Sequence, residues 1–173
     1  MATSAPGNSS VRPKNMAPIT EVLKLNGYST AHIGKCHEVP LWQVTPVGPF
    51  DQWPTGSGFE YFYGFVGGEA NQYYPGLYQG TTRIEPEKTP EEGYNLNDDL
   101  SERVCSYIRQ QKAVMPDKPF FVYYAPGATH APHHVAKEWS DKYKGKFDQG
   151  WDKLRAHSRS QLPLAMRSGS GRQ

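Results

Sequence analysis

The chain has no stretch approaching 18 apolar residues, so nothing in it reads as a membrane-spanning helix. Its first residues, Met1-Ala2-Thr3-Ser4-Ala5-Pro6-Gly7, carry no basic segment and no apolar run, so no signal peptide is read and cytoplasmic residence is the default expectation. Cysteine is scarce. Cys36 and Cys105 cannot build a disulfide framework, and reduced thiols are expected. Neither sign of charge dominates: 19 Lys and Arg against 17 Asp and Glu leave +2, no field for gripping nucleic acid. Hydrophobic residues are only 36% of 173, which predicts a thin core, while 13% aromatic residues argue against a disordered chain. A globular, loop-rich chain of about one domain, without internal repeats, fits these absences.

What is present alternates between helix and strand. Residues 1–14 are rich in Ser, Gly, Pro and Asn and read as coil. Pro18 suits a first helical turn, Ile19, Val22, Leu23 and Leu25 form an apolar stripe, and Gly27 sits where a helix ends. Tyr28 to Ile33 reads as a strand running into Gly34-Lys35-Cys36-His37. Residues 40–94 are turn-dense, with seven prolines and most of the aromatics, and read as a long irregular excursion or a missed element. Asn97 is a plausible helix cap, followed by Asp98, Asp99 and an apolar face of Leu100, Val104, Tyr107 and Ile108. Pro119 to Ala125 is a continuous aromatic and β-branched run, the pattern of a strand covered on both faces. A short helix is expected near 136–143 and disorder over 156–173, where periodicity and acidic residues are lacking. Two helix–strand units predict an α/β layered fold with a parallel sheet.

Two polar clusters follow the two strands. Open α/β sheets place ligands beyond the carboxyl ends of their strands. Lys35 and His37, two apart in extended backbone, project to one side and can hold a tetrahedral oxyanion; a solvated lysine beside a hydrogen-bonded histidine is the plainer reading. His130, His133 and His134 invite a zinc reading, but the spacing lacks carboxylate or cysteine partners, and a proline-braced histidine facing a ligand fits better. His134 reads as solvated. Cys36 lies between Lys35 and His37 with no orienting carboxylate, and reads as a small buried residue rather than a nucleophile.

The run Gly27-Tyr28-Ser29-Thr30-Ala31-His32-Ile33-Gly34-Lys35-Cys36-His37 resembles the sulfatase-family signature G-Y-x-T-x-x-x-G-K-x-H. Ala17 to Asn26 resembles the family's preceding helix, Gly58 to Phe65 its GFD-x-FYGF segment, and Pro119 to Pro132 its PFF-x-Y strand with a loop bearing H-x-P. The resemblance covers residues 15–155, a partial catalytic domain flanked by the coil 1–14 and a non-family tail 156–173. It implies a partial alkaline-phosphatase/sulfatase-like fold, with helices on a truncated, mostly parallel sheet. It also implies a sulfuric-ester hydrolase of bacterial arylsulfatase type. On that resemblance Lys35 and His37 bind the sulfate and the formylglycine nucleophile, and His130 contacts the sulfate and assists the leaving group. His133 is the weaker alternative.

The departures shape the expectation. The resemblance implies calcium and formylglycine as cofactors, yet the C/S-x-P-x-R motif and the paired acidic ligands are missing; Cys105 to Arg109 has the spacing but Tyr107 in place of the proline. The chain therefore resembles an internal piece of a sulfatase, with no metal ligands of its own and an isolated form expected to be inactive. Its expected partner is a sulfate-ester small molecule or sulfated glycan, with no nucleic acid and no membrane. A phosphoester hydrolase of the same superfamily and a non-catalytic carbohydrate-binding module are the alternatives.

Overall fold

Ser29–Cys36 forms an interior strand of the sheet, β1, buried along its length except at Lys35. It is preceded by helix α1, Ile19–Leu25, and belongs to a computed structural model that describes residues 11–161. The chain divides into two compact units, Met1–His134 and Val135–Gln173. In the first unit follow β2 (Tyr61–Val66), β3 (Leu77–Gln79), β4 (Thr82–Ile84), helix α2 (Leu96–Val114) and β5 (Phe120–Ala125). The sheet order is β4-β3-β2-β1-β5, with β2, β1 and β5 parallel and β3–β4 an antiparallel extension. The expected α/β fold with a mostly parallel core is what the chain adopts.

Two clusters cover the two faces of β1 and β2, as strand alternation demands. Ile33, Tyr63, Phe65 and Leu77 pack with Tyr94, Leu96 and Leu100 at the start of α2. Cys36, Val39, Trp53 and Phe62 pack on the other side, and the Trp53 indole donates to the Gln43 carbonyl at 2.9 Å. Thr30 ties β2 to β1: its hydroxyl donates to the Gly58 carbonyl at 2.7 Å and accepts from the Glu60 amide at 3.1 Å.

Several expectations change. The excursion over 40–94 is not irregular, since it supplies β2 and the β3–β4 hairpin. The first strand continues through Cys36, so Lys35 lies within it. Helix α2 begins at Leu96, capped by Asn95, whose side chain accepts from the Asn97 amide at 2.9 Å. The stripe on α1 does not face the core: Thr20 is the buried residue, while Ile19 and Leu25 are 64% and 80% exposed. Strand β5 is the sheet's terminal strand, paired with β1 alone among the described residues, and Tyr123 and Tyr124 are exposed rather than covered.

The second unit contains α3, Lys137–Asp141, and α4, Trp151–Gln161. Lys137 pairs with Asp141 one turn along α3. Helix α4 replaces the expected disorder over residues 156–161; the rest of that tail and most of the N-terminal coil lie outside the described residues.

Candidate anion-binding site

Three parallel strands end on one edge of the first unit, and their loops carry its polar chemistry. Lys35 lies near the end of β1 and His37 just past it, both half-buried; after β2 comes the loop 67–73; after β5 comes 126–134. In-register small residues let these ends approach. Gly34 pairs with Gly64 on one side and Ala125 on the other, and a methyl group on Gly34 would stand 2.0 Å from the Ala125 carbonyl oxygen. The Gly67 amide then donates to the Cys36 carbonyl at 2.7 Å, which continues the β1–β2 pairing into the start of the β2 loop.

His37 rests on that loop. A Cβ on Gly68 would lie 2.6 Å from the His37 Cε1, so the imidazole occupies space that only glycine leaves open. Burial lowers the His37 pKa, and the positive charges of Lys35 and His130 lower it further. Lys35 and His37 stand at the end of β1 and His130 just past β5, the strand paired beside it, so two separate strands bring the three side chains to one edge. His130 is half-exposed and approaches Glu69 from the same β2 loop, Nδ1 to Oε2 at 3.5 Å.

The other histidines are occupied elsewhere. His133, at φ +59°, turns its Nδ1 to the Thr129 carbonyl at 3.0 Å within its own loop. His134 is not solvated: it is half-buried and stacks on Tyr73 with ring centroids 5.7 Å apart. His32, buried among Phe59, Phe62 and Tyr123, donates from Nε2 to the Lys35 carbonyl at 2.9 Å and so holds the backbone that carries Lys35.

Burial lowers the His32 pKa, which fixes a pH dependence. The unfolded chain takes up that proton near pH 6.5, while the folded chain resists it. Stability from His32 is therefore complete above about pH 6.5 and is lost as pH falls through the lowered folded value. Denaturation curves from pH 7.5 to 5 should show stability falling, with a shallower fall in His32→Gln. Equal slopes would show that His32 does not titrate with unfolding.

Gly68→Ala separates the site from the scaffold. The clash falls on the end of a side chain, so the His37 ring can rotate away and melting should change little. Displacing one charge-assisted donor should weaken sulfate binding by about tenfold. Unchanged binding would show that the His37 ring does not need its seat on Gly68.

Sequence reasoning missed Glu69 and Gln72. Gln72 is 2% exposed; its Oε1 accepts from Asn97 at 2.8 Å, its Nε2 donates to the Ala70 carbonyl at 3.0 Å, and its carbonyl accepts from the Leu96 amide at 2.8 Å. It joins the β2 loop to the start of α2, beside Gly127 of the β5 loop. In sequence, Gly67-Gly68 carries a turn signal and nothing more; Tyr61–Val66 as a parallel strand sends the residues after it to the same edge.

Neither implied cofactor fits the residues described. Among them no group of three or more His, Cys, Asp or Glu is placed to hold a metal ion. Cys36 is buried and donates to Glu38 Oε2 at 3.1 Å, and burial with that carboxylate pushes its thiol far above the reactive range. Cys105 is exposed on α2 and lies on neither strand-end loop. A formylglycine carrier and a calcium cage are thus not assembled from these side chains.

The sequence model of the sulfatase family matches residues 1–168. Among curated proteins, the chain is 28% identical over 148 residues to the uncharacterized sulfatase YdeN of Escherichia coli, covering 76% of this chain and 25% of that protein. It is 29% identical over 139 residues to the arylsulfatase of Klebsiella aerogenes, covering 77% of this chain and 28% of that protein. The chain thus spans about a quarter of the length of the curated relatives it matches. Among solved structures, Ps i-CgsB in complex with k-i-k-neocarrahexaose matches with a TM-score of 0.54 and 25% identity, over 79% of this chain and 31% of that one. The PsFucS1 sulfatase from Pseudoalteromonas sp. matches with a TM-score of 0.53 over 77% of this chain and 30% of that one; at 22% identity this is a likeness of fold.

Proposed function

The chain belongs to the sulfatase family, and from that premise we propose that Lys35, His37 and His130 form the sulfate seat of an arylsulfatase-type sulfuric-ester hydrolase. The observation that supports this most is geometric: Lys35 near the end of β1, His37 just past it against Gly68, and His130 beside Glu69 of the same β2 loop all stand at the carboxyl edge of three parallel strands. A lysine and two imidazoles gathered at one edge can donate together to an anion, which in turn favours their protonated forms. In this reading the Lys35 ammonium and the protonated rings donate charge-assisted hydrogen bonds to sulfate oxygens. These groups bind and orient the ester; the nucleophile and metal of a complete sulfatase are no part of what the described residues assemble.

A sulfated glycan is the substrate class this reading favours. The neocarrahexaose held by the structural relative supports it, as does the exposed Tyr74 beside the Tyr73–His134 stack, because sugar faces pack on aromatic rings. Sulfate binding should take up protons, since a bound dianion favours the charged form of His37. Calorimetry with inorganic sulfate should show affinity rising as pH falls below about 6.5. Affinity that is flat from pH 8 to 5.5 would remove the histidines from the seat.

A further inference from the structure

We propose that Glu69 is the positioning residue of His130: it keeps the proton on Nδ1, so that Nε2 is the nitrogen that exchanges its proton at the anion seat. The proposal rests on the sulfate-seat reading for its purpose, but not for its geometry.

Two acceptors converge on one ring nitrogen. Glu69 Oε2 lies 3.5 Å from His130 Nδ1, and the Ala131 carbonyl oxygen lies 3.4 Å from the same atom. A bare lone pair on Nδ1 would face both oxygens, whereas an N–H there is attracted by each. The neutral ring is therefore held as the Nδ1–H tautomer, and Nε2 is the position left to gain and lose a proton. The backbone on both sides is braced for this. The His130 amide donates to the Gly127 carbonyl at 3.2 Å, and the His133 amide donates to the His130 carbonyl at 3.2 Å. Glu69 is delivered by the same short segment that seats His37, with Gly68 against one imidazole and Glu69 against the other.

The charge of Glu69 points the same way. A carboxylate at the rim of an anion seat works against an incoming oxyanion, so anion affinity does not explain its place. Stability does not explain it either: the two side chains are 51% and 62% exposed, and an ion pair so solvated contributes little. What remains is control of which nitrogen carries the proton, the task a carboxylate performs for a working histidine elsewhere.

The test uses the full chain with ¹⁵N-labelled histidine. Long-range ¹H–¹⁵N spectra at pH 8 report the tautomer of each ring, with His130 assigned by its loss in His130→Gln. The expected result is Nδ1–H in the parent chain and a shift toward Nε2–H in Glu69→Ala, with melting unchanged. Nε2–H in the parent, or the same tautomer in both chains, would overturn the proposal. Inorganic sulfate titrations supply the second arm. Glu69→Ala should bind sulfate as tightly as the parent or tighter, whereas His130→Ala should bind it more weakly. Weaker binding in Glu69→Ala would make Glu69 a scaffold for the seat and overturn the assigned role. A tautomer shift without any effect of Lys35→Ala or His130→Ala on sulfate would leave the Glu69–His130 relation standing and the sulfate reading refuted.

Discussion

Gly34→Ala is expected to abolish cooperative folding. Gly34 holds φ +116°, in the region L side chains avoid, and its missing Cβ would stand 2.0 Å from the Ala125 carbonyl oxygen. Its neighbour Gly64 is set in the same way, with a Cβ that would lie 1.9 Å from the Gly34 carbonyl oxygen. These are backbone atoms in the ladder that joins β2, β1 and β5, so relief requires the strands to part. Backbone strain of about 1–3 kcal/mol adds to overpacking of about 1–3 kcal/mol or more. Parting the ladder adds to that, against a net stability of about 5–15 kcal/mol for an ordinary domain. Thermal melting followed by circular dichroism should lose its transition. A variant that melts within a few degrees of the parent would show that the three strands tolerate separation.

Asp99→Ala should cost about 2–6 kcal/mol while leaving sulfate binding intact, from two stranded phenols at roughly 1–3 kcal/mol each. The Tyr63 and Tyr94 hydroxyls both donate to Asp99 Oδ2, at 2.7 and 3.0 Å, and both rings are almost fully buried. Burial first, and then the adjacent carboxylate, pushes both phenols above their ordinary range. Arg103 lies over the Tyr63 ring at 4.4 Å and reaches Glu87 at 2.8 Å, closing the network at the start of α2. This network lines a cavity of about 300 Å³, none of whose residues belongs to the strand-end loops. Urea unfolding should show a lower midpoint with the slope unchanged, and sulfate titration should match the parent. An unchanged midpoint would show that water satisfies both phenols; weakened sulfate binding would tie the network to the site.

Much of this architecture was legible in the residues, and the misses share one cause. Helices α1 and α2 announce themselves by period, and Pro119 to Ala125 by its unbroken apolar run. Strand β2 does not, because Gly64 interrupts it and glycines and prolines crowd its flanks. The reason for Gly64 is its partner Gly34, 30 residues earlier, and a window of sequence does not contain that contact. With β2 unread, the loop after it had no assigned place, and Glu69 and Gln72 were invisible as site residues. Lys35, His37 and His130 stand out in the sequence because a signature carries them. The seat of the His37 ring against Gly68 does not, since it depends on the β2 loop. On α1, periodicity marks an apolar face but does not say which side of the helix the core takes; Gly58 and Thr20 decide it by letting the backbone approach. The Gly58 Cβ would lie 2.5 Å from the Glu21 amide nitrogen.

Binding of inorganic sulfate to the full chain, measured by calorimetry at pH 6 in the parent and in Lys35→Ala, His37→Ala and His130→Ala, tests the central claim most directly. Each substitution should weaken binding by about tenfold or more, the value of one charge-assisted hydrogen bond to a desolvated anion. Each should do so while the melting temperature holds, since all three side chains stand at the rim of the sheet. Sulfate binding indifferent to all three would contradict the account, because the strand edge would then carry cations without forming a seat.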